Sequence, residues 1–214
     1  MKKIQKKLLA STVAAAAFAS MAMVPAVQAE VSASVGVANM YYWRGLDLGG
    51  GAALSADINY SVSGFFVGAW TSSGDEAMGT EYDLYAGYGG EVGDFNYSLS
   101  VVSYNYADPK DGEPLSPGDL TEVVLGLGYG PFAATYYDNV AGSSGYNYFT
   151  LALDFEKFAV LYGQHEDDLS HIDLTYKYND NLSFTVGKVV DDASGAYPDE
   201  AKFIVSLSLP IDFK

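Results

Sequence analysis

The chain has 214 residues, of which 27 are acidic and 11 are basic, so its formal net charge at pH 7 is −16. Such a chain lacks the basic face that nucleic-acid binding requires, which excludes nucleic acid as a partner. The absence of cysteine excludes a disulfide framework, a thiolate nucleophile and a cysteine-ligated zinc site, and we expect neither a cofactor nor a bound metal.

Residues 1–29 have the three parts of an export signal. A lysine-rich start is followed by an apolar run from Leu8 to Val24 and by the small-residue site Val27-Gln28-Ala29. This pattern predicts a signal peptide that is cleaved after Ala29, and an uncleaved anchor helix is the alternative. The predicted mature domain, residues 30–214, has no apolar stretch of the ~20 residues that a membrane helix needs. We therefore expect any membrane crossing by this domain to use strands.

Twelve segments of the mature domain alternate apolar with small or polar residues, which is the pattern of a β-strand with one apolar face. In chain order they are residues 31–43, 54–60, 65–72, 82–89, 95–106, 123–129, 132–137, 149–155, 158–164, 172–178, 182–186 and 202–213. The third is ambiguous, because Phe66 and Trp70 share the parity that is polar in the other segments.

The last segment determines the class of fold. It keeps a period of two from Lys202 to Phe213, which is longer than the five or six residues of an ordinary strand and suits the roughly 9–11 residues of a tilted membrane strand. A lone strand in lipid would leave its backbone groups unpaired, so membrane strands occur in closed barrels. The sequence thus predicts an all-β, antiparallel up-and-down transmembrane barrel in the outer membrane of a Gram-negative bacterium.

The connections support this topology. Short links near residues 62, 93, 130, 156 and 180 alternate with longer ones near residues 47, 76, 113, 143, 167 and 195. Tight periplasmic turns and longer outward loops produce this alternation in bacterial barrels. Aromatic residues near strand ends are interpreted as girdles at the two membrane interfaces, although aromatic residues favour strands in general. These residues are Tyr42, Trp43, Tyr60, Tyr104, Tyr106, Tyr129, Tyr178 and Phe213.

Three sequence blocks resemble a known family. They are Tyr42-Trp43-Arg44-Gly45, the block from Gly64 to Ser72 and the block from Glu81 to Tyr88. In this order they are similar to the TorF-type porin family of proteobacterial outer membranes. The resemblance implies an outer-membrane barrel with a pore, and it supplies no catalytic residue. The chain departs from outer-membrane barrels in general at its last residue, where Lys214 follows Phe213.

The polar parity of the strands is expected to line the lumen. The lumenal candidates are Asp57, Asp83, Glu122, Asp154, Asp173, Lys177 and Lys202. Their net negative charge favours cations over anions, which predicts a porin-like channel for passive diffusion of small solutes with a preference for cations. The alternative is a non-conducting structural or surface-interaction barrel, in which these acids pair with the lysines and with hydroxyl groups and fill the interior.

Arg44, the only arginine, is placed at the mouth of the first strand. A guanidinium there suits a two-pronged contact with a lumenal carboxylate or with the anionic group of a ligand, and the preferred interpretation is an ion-pair clamp that holds the first loop. Most of the acids, Asp75 and Glu81 among them, are assigned to outward loops, where only Arg44 and Lys110 oppose them. A solvated acidic rim is the preferred interpretation, and a cation-collecting vestibule or divalent ions bridging to lipid head groups are the alternatives. The expected partners are outer-membrane lipid and lipopolysaccharide, the barrel-assembly machinery, and small solutes or cations.

One loop carries the residue types of a serine hydrolase. His165, Ser170 and His171 are close in sequence, which is the only hint of a lipid hydrolase of the barrel type. Ser170 and His171 alternate to opposite faces of a strand, and the chain has no Gly-x-Ser-x-Gly motif. The sequence therefore predicts that the protein is not an enzyme.

Overall fold

The computed structural model describes residues 29–49, 51–107, 118–141 and 145–213. The predicted signal peptide lies outside these residues except for Ala29. The described residues form fourteen strands. They are β1 (Glu30–Ala38), β2 (Tyr42–Trp43), β3 (Leu46–Asp47), β4 (Ala53–Val62), β5 (Phe65–Asp75), β6 (Gly79–Val92), β7 (Phe95–Tyr106), β8 (Leu120–Tyr129), β9 (Phe132–Asn139), β10 (Asn147–Phe155), β11 (Phe158–His165), β12 (Leu169–Lys177), β13 (Leu182–Asp192) and β14 (Lys202–Ile211).

Twelve of these strands close into one antiparallel barrel, which confirms the predicted fold class. Strands β4 to β14 pair in chain order, and β1 closes the ring by pairing with both β4 and β14. The closing register runs from Ala33 opposite Ile211 to Ala38 opposite Ser206. Strands β2 and β3 pair only with each other. Because the ring is closed, every barrel strand has a hydrogen-bonded neighbour on both sides.

The period-two pattern separates an exposed apolar outer face from a buried inner face that carries most of the polar side chains together with some apolar ones. On β14, Phe203 and Leu209 are 54% and 44% exposed on the outside, whereas Ile204 and Ser206 are 1% and 6% exposed on the inside. The ambiguous segment β5 follows the same rule, since Phe65 and Val67 point outward and Trp70 is buried in the lumen. Its aromatic residues on the polar parity therefore pack inside the barrel.

Tight turns and longer connections lie at opposite ends of the barrel. At the turn end, pairs such as Ser63-Gly64 and Gly130-Pro131 join neighbouring strands. The opposite end, the loop end, carries the other connections. The longer connection predicted near residue 76, from the end of the third segment at residue 72 to the start of the fourth at residue 82, is largely wrong. Strands β5 and β6 extend until only residues 76–78 separate them, and Asp75 Oδ1 accepts the N–H groups of Ala77 and Met78 at 2.9 and 2.7 Å.

Exposed aromatic residues ring the turn end, as predicted for Tyr60, Tyr129 and Tyr178, which are 44%, 64% and 58% exposed. The prediction is wrong for Tyr42 and Tyr104, which are 1% and 9% exposed and point into the lumen. Near the loop end, the sequence spacing of aromatic residues does not distinguish outward-facing residues from those that point into the lumen. The inward-pointing ones pack against a segment inside the barrel.

That segment, residues 40–49, is named the inner hairpin. The sequence pattern extends the first strand to Trp43, but β1 ends at Ala38 and the chain turns into the lumen. Asn39 fixes this departure, because its side chain donates to the carbonyl of Phe203 at 2.9 Å and accepts the N–H of Val205 at 2.7 Å. Arg44 and Gly45 form the two-residue turn between β2 and β3, with φ values of 47° and 90°. Two successive positive φ values are typical of the tight hairpin turn that matches strand twist.

Candidate functional site

The inner hairpin fills the half of the lumen next to the loop end, which we call the loop half. Tyr42 at 1% exposure and Arg44 at 4% are among its most buried residues. Tyr42 donates its hydroxyl to Asp173 Oδ1 on β12 at 2.6 Å. The backbone oxygen of Arg44 lies 2.8 Å from His165 Nε2 on β11. The hairpin is therefore attached to the wall through both its side chains and its backbone.

Arg44 makes the strongest of these attachments. Its two terminal nitrogens bind the two carboxylate oxygens of Glu122 on β8 at 2.9 and 2.6 Å. The guanidinium carbon also lies 4.5, 4.5 and 4.6 Å from the ring centres of Trp43, Tyr137 and Tyr148. A buried bidentate ion pair surrounded by aromatic faces has both charge and cation–π stabilisation.

The structure places Arg44 against a lumenal carboxylate, that of Glu122, and away from the predicted position at the mouth of the first strand. It lies inside the barrel and not at the mouth, because a tight turn replaces the expected continuation of the first strand. Arg44 consequently cannot oppose the acids of the outward loops.

Both histidines belong to the lumenal network. His171 Nε2 lies 2.8 Å from the hydroxyl of Tyr148, and its Nδ1 lies 3.1 Å from Asp173 Oδ1. His165 Nδ1 lies 2.7 Å from the hydroxyl of Tyr146, while its Nε2 faces the hairpin backbone. All four ring nitrogens therefore have partners other than Ser170, and one of these partners is the hairpin backbone.

Two glycines of the wall make room for this network. A Cβ atom at Gly163 would lie 2.2 Å from His171 Nε2 and 2.3 Å from the Tyr148 hydroxyl. A Cβ atom at Gly187 would lie 2.0 Å from the Tyr42 hydroxyl. Neither glycine has a positive φ, so the space it leaves is the reason for glycine at these positions.

The predicted lumenal residues all lie on the inner parity of their strands, but in different surroundings. Glu122 and Asp173 bind the inner hairpin, and Asp83 is 1% exposed in the loop half. Asp57 is half-buried and accepts the hydroxyl of Tyr85 at 2.9 Å. The remaining three are Asp154, Lys177 and Lys202.

Lys177 and Asp154 form an ion pair with each other near the turn end. Lys202, at the start of β14, is half-buried on the parity of Ile204 and Ser206. The half of the lumen next to the turn end, the turn half, is lined mainly by small and polar residues such as Ser98 and Ala152, which are half-exposed. Water thus reaches the turn half, whereas the loop half is tightly filled.

The sequence prediction missed Asp75 and Glu81 as lumenal residues. Both were assigned to an outward loop, but they are 8% and 3% exposed inside the barrel. The hydroxyl of Tyr41 donates to Glu81, and the ring of Tyr41 stacks on Trp70 with centres 6.4 Å apart. The sequence pattern does indicate the position of Glu81, because Glu81 lies two residues before Asp83 and therefore has the same inward parity.

The described residues contain no helix that is long and apolar enough to cross a membrane. Within the same residues, no group of three or more histidine, cysteine, aspartate or glutamate side chains is arranged to hold a metal ion.

Residues 22–189 match a family model described as "Bacterial protein of unknown function (Gcw_chp)". That description names no channel, ligand or reaction. No curated protein matches the chain significantly.

Proposed function

Because the chain belongs to the bacterial Gcw_chp family, whose function is unknown, we propose a function for it from its own structure. The protein is an outer-membrane barrel that forms a porin-like channel for passive diffusion of small solutes, with a preference for cations. The observation that carries this proposal is a closed twelve-stranded barrel whose outer face is apolar and whose inner face is polar and acidic. The resemblance to TorF-type porins points to the same function.

The exposed apolar face supports the membrane position. Leu151, in the middle of β10, is 51% exposed, and Leu54, Leu99 and Leu174 on other strands are 63%, 54% and 53% exposed. Apolar side chains this exposed around an entire barrel would cause a protein in water to aggregate. In a bilayer they contact hydrocarbon, and every strand backbone is paired as lipid requires.

Replacing Leu151 with arginine is expected to lower the free energy of unfolding in lipid vesicles by about 2–4 kcal/mol, the cost of arginine at the bilayer midplane. Tyr178→Arg at the turn end is the matched control, and we expect it to cost about 0–1 kcal/mol because arginine there reaches the interface. Equilibrium denaturation of both variants measures the difference. Equal small losses for the two variants would argue against the membrane position.

The charges of the lumen support a preference for cations. Asp57 and the Asp154–Lys177 pair lie in the part of the lumen that water reaches. In the loop half, none of the described residues forms an ion pair with the carboxylates of Asp83 and Glu81. Carboxylates in a confined wall create a negative potential that concentrates cations. The inner hairpin narrows the path in the loop half, so the conductance of the unmodified barrel is expected to be small.

Planar-bilayer recording tests the channel. We expect discrete conductance steps and, in a salt gradient, a reversal potential that shows cation preference. The double variant Asp57→Asn/Asp154→Asn is expected to reduce the cation-to-anion permeability ratio about two-fold or more, since it removes two lumenal carboxylates. An anion-selective barrel would contradict the proposal. An unchanged reversal potential in the double variant would show that Asp57 and Asp154 do not determine the selectivity.

A specific observation favours a second candidate function. The side chains of the loop half exclude water, with Tyr42, Val102 and Ile204 at 1%, 0% and 1% exposure. A barrel that stays in this state is a non-conducting structural or surface-interaction protein that uses its acidic loops. Absence of conductance steps both in the unmodified barrel and in a variant that lacks residues 40–49 would support this second function.

The protein is expected to have no catalytic activity, because its two imidazoles are fully hydrogen-bonded within the wall and the hairpin. Outer-membrane lipid, lipopolysaccharide and the barrel-assembly machinery are its expected partners, together with the small solutes or cations that pass through it.

A further inference from the structure

Two buried carboxylates lie side by side in the loop half. Glu81 and Asp83 are two residues apart on β6, so their side chains leave the same face about 7 Å apart at Cα. They are 3% and 1% exposed. Tyr106 and Tyr104 on β7 are their direct cross-strand neighbours, and Trp70 on β5 flanks Asp83 from the other side.

Neither carboxylate has a cationic partner among the described residues. The ion pairs found there join Arg44 to Glu122, His171 to Asp173 and Lys177 to Asp154. Both terminal nitrogens of Arg44 are engaged by Glu122. The arginine that enters the loop half is therefore already neutralised by one carboxylate, and Glu81 and Asp83 remain without compensation.

The hydrogen bonds of the two residues are also incomplete. Glu81 accepts the hydroxyl of Tyr41, whereas neither oxygen of Asp83 has a hydrogen-bond partner. An ionised carboxylate buried without a partner costs several kcal/mol, so such a group is normally compensated by a cation or by a proton. The unpartnered oxygens of Asp83 thus mark a position that favours a positively charged group.

The surrounding atoms indicate which cation fits. Carboxylate and phenol oxygens are hard donors, and no nitrogen or sulfur ligand is supplied by Glu81, Asp83 or Tyr41. Hard donors of this kind select alkali and alkaline-earth ions over transition metals. Because two carboxylates and not three form the site, the backbone and water must complete the coordination shell.

We propose that Glu81 and Asp83 together bind one hard metal cation, of the class Na⁺, K⁺, Ca²⁺ or Mg²⁺, inside the loop half of the barrel. The cation neutralises the two carboxylates next to Tyr41 and thereby stabilises the inner hairpin in its lumenal position. This site goes beyond the proposed function, since a barrel that binds the ion permanently need not conduct, and its test reads stability and not conductance.

Thermal unfolding of the detergent-solubilised barrel tests the site. The melting temperature is measured in the chlorides of Na⁺, K⁺, Ca²⁺ and Mg²⁺, each against N-methyl-D-glucamine chloride at the same ionic strength. The large organic cation screens charge but does not fit between the two carboxylates. At a concentration of metal near a hundred times the dissociation constant, we expect the melting temperature to rise by about 5 °C or more. The series also shows which ion binds.

Two variants separate this site from other effects. Asp83→Asn is expected to abolish the metal-dependent rise, and Glu81→Gln serves the same purpose if Asp83→Asn does not fold. Asp57→Asn is the matched control, because Asp57 also lies beside Trp70 across the sheet and should keep the full rise. A rise that persists in Asp83→Asn would place the ion in the outward loops. Identical melting temperatures of the unmodified barrel in all salts would show that a proton, and not a metal, compensates the pair. Either result overturns the proposal.

Discussion

Methionine in place of Arg44 is expected to lower the free energy of unfolding by about 3–5 kcal/mol, because it leaves Glu122 as a buried carboxylate without its cation. Arg44 and Glu122 are both 4% exposed at their side chains. The loss of the guanidinium also removes its contacts with the aromatic faces of Trp43, Tyr137 and Tyr148, which are worth about 0.5–2 kcal/mol each in desolvated surroundings.

Equilibrium denaturation in lipid vesicles measures this loss, and a double variant separates the ion pair from the burial of its carboxylate. Arg44→Met/Glu122→Met is expected to recover most of the stability, since replacing both partners of a buried pair with apolar residues is often neutral. Lys177→Met is the matched control, because its pair with the 53% exposed Asp154 should contribute about 1 kcal/mol or less. A loss for Arg44→Met no larger than that of the control would show that Arg44 does not hold the inner hairpin.

The same variant has an expected effect on the proposed channel. Without its clamp the hairpin leaves the lumen more often. The opening frequency of Arg44→Met in planar bilayers, and with it the mean conductance, should therefore exceed that of the unmodified barrel. Lys177→Met should leave the opening frequency unchanged, because its pair lies at the turn end, away from the hairpin. If Arg44→Met unfolds in the membrane, the Arg44→Met/Glu122→Met variant provides the same comparison.

Valine in place of Gly163 is expected to displace the inner hairpin by volume. The new side chain would occupy the space between His171 Nε2 and the Tyr148 hydroxyl, which are 2.8 Å apart and hydrogen-bonded. Tyr148 carries one of the aromatic faces around Arg44, so its displacement disturbs the clamp directly. Overpacking of this kind costs about 1–3 kcal/mol and is relieved here by movement of the hairpin toward the loop end.

Tryptophan fluorescence reports this movement, because both tryptophans lie at the hairpin. Trp43 is part of β2, and Trp70 stacks on Tyr41. Acrylamide is expected to quench the emission of Gly163→Val about two-fold more strongly than that of the unmodified barrel, because movement of the hairpin exposes a buried indole to the quencher. Gly126→Val is the control, since its Cβ would meet only the side chain of Ser98 in the turn half. Equal quenching in both variants would mean that the hairpin does not depend on the space at Gly163.

The sequence predicted the barrel wall well because the wall depends on local information. Each strand has a period of two, so the exposed side of Phe203 and the buried side of Ile204 follow from their order in the chain. Errors occurred where that period continued beyond the wall. Tyr42 and Trp43 extend the alternation of β1, yet they belong to a hairpin inside the barrel.

The occupants of the lumen could be predicted only as a set. Asp83, Glu122 and Asp173 were expected inside from their parity, but parity does not say which partner each one meets. Glu122 meets Arg44 across 78 residues of chain, and Asp173 meets Tyr42 across 131. The burial of Asp75 and Glu81 was missed, because a polar stretch with glycine is also the pattern of an outward loop.

By itself the sequence determined the alternating strands, their order and the sidedness of nearly every wall residue, since a strand residue inherits its face from its immediate neighbours. Only the tertiary structure decided that residues 40–49 turn inward, that Arg44 neutralises Glu122, and that none of the other described residues forms an ion pair with Asp83. These outcomes depend on the width of the closed ring. Twelve strands enclose a space that side chains alone would not fill in the loop half, and burying the aromatic hairpin there removes apolar surface from water.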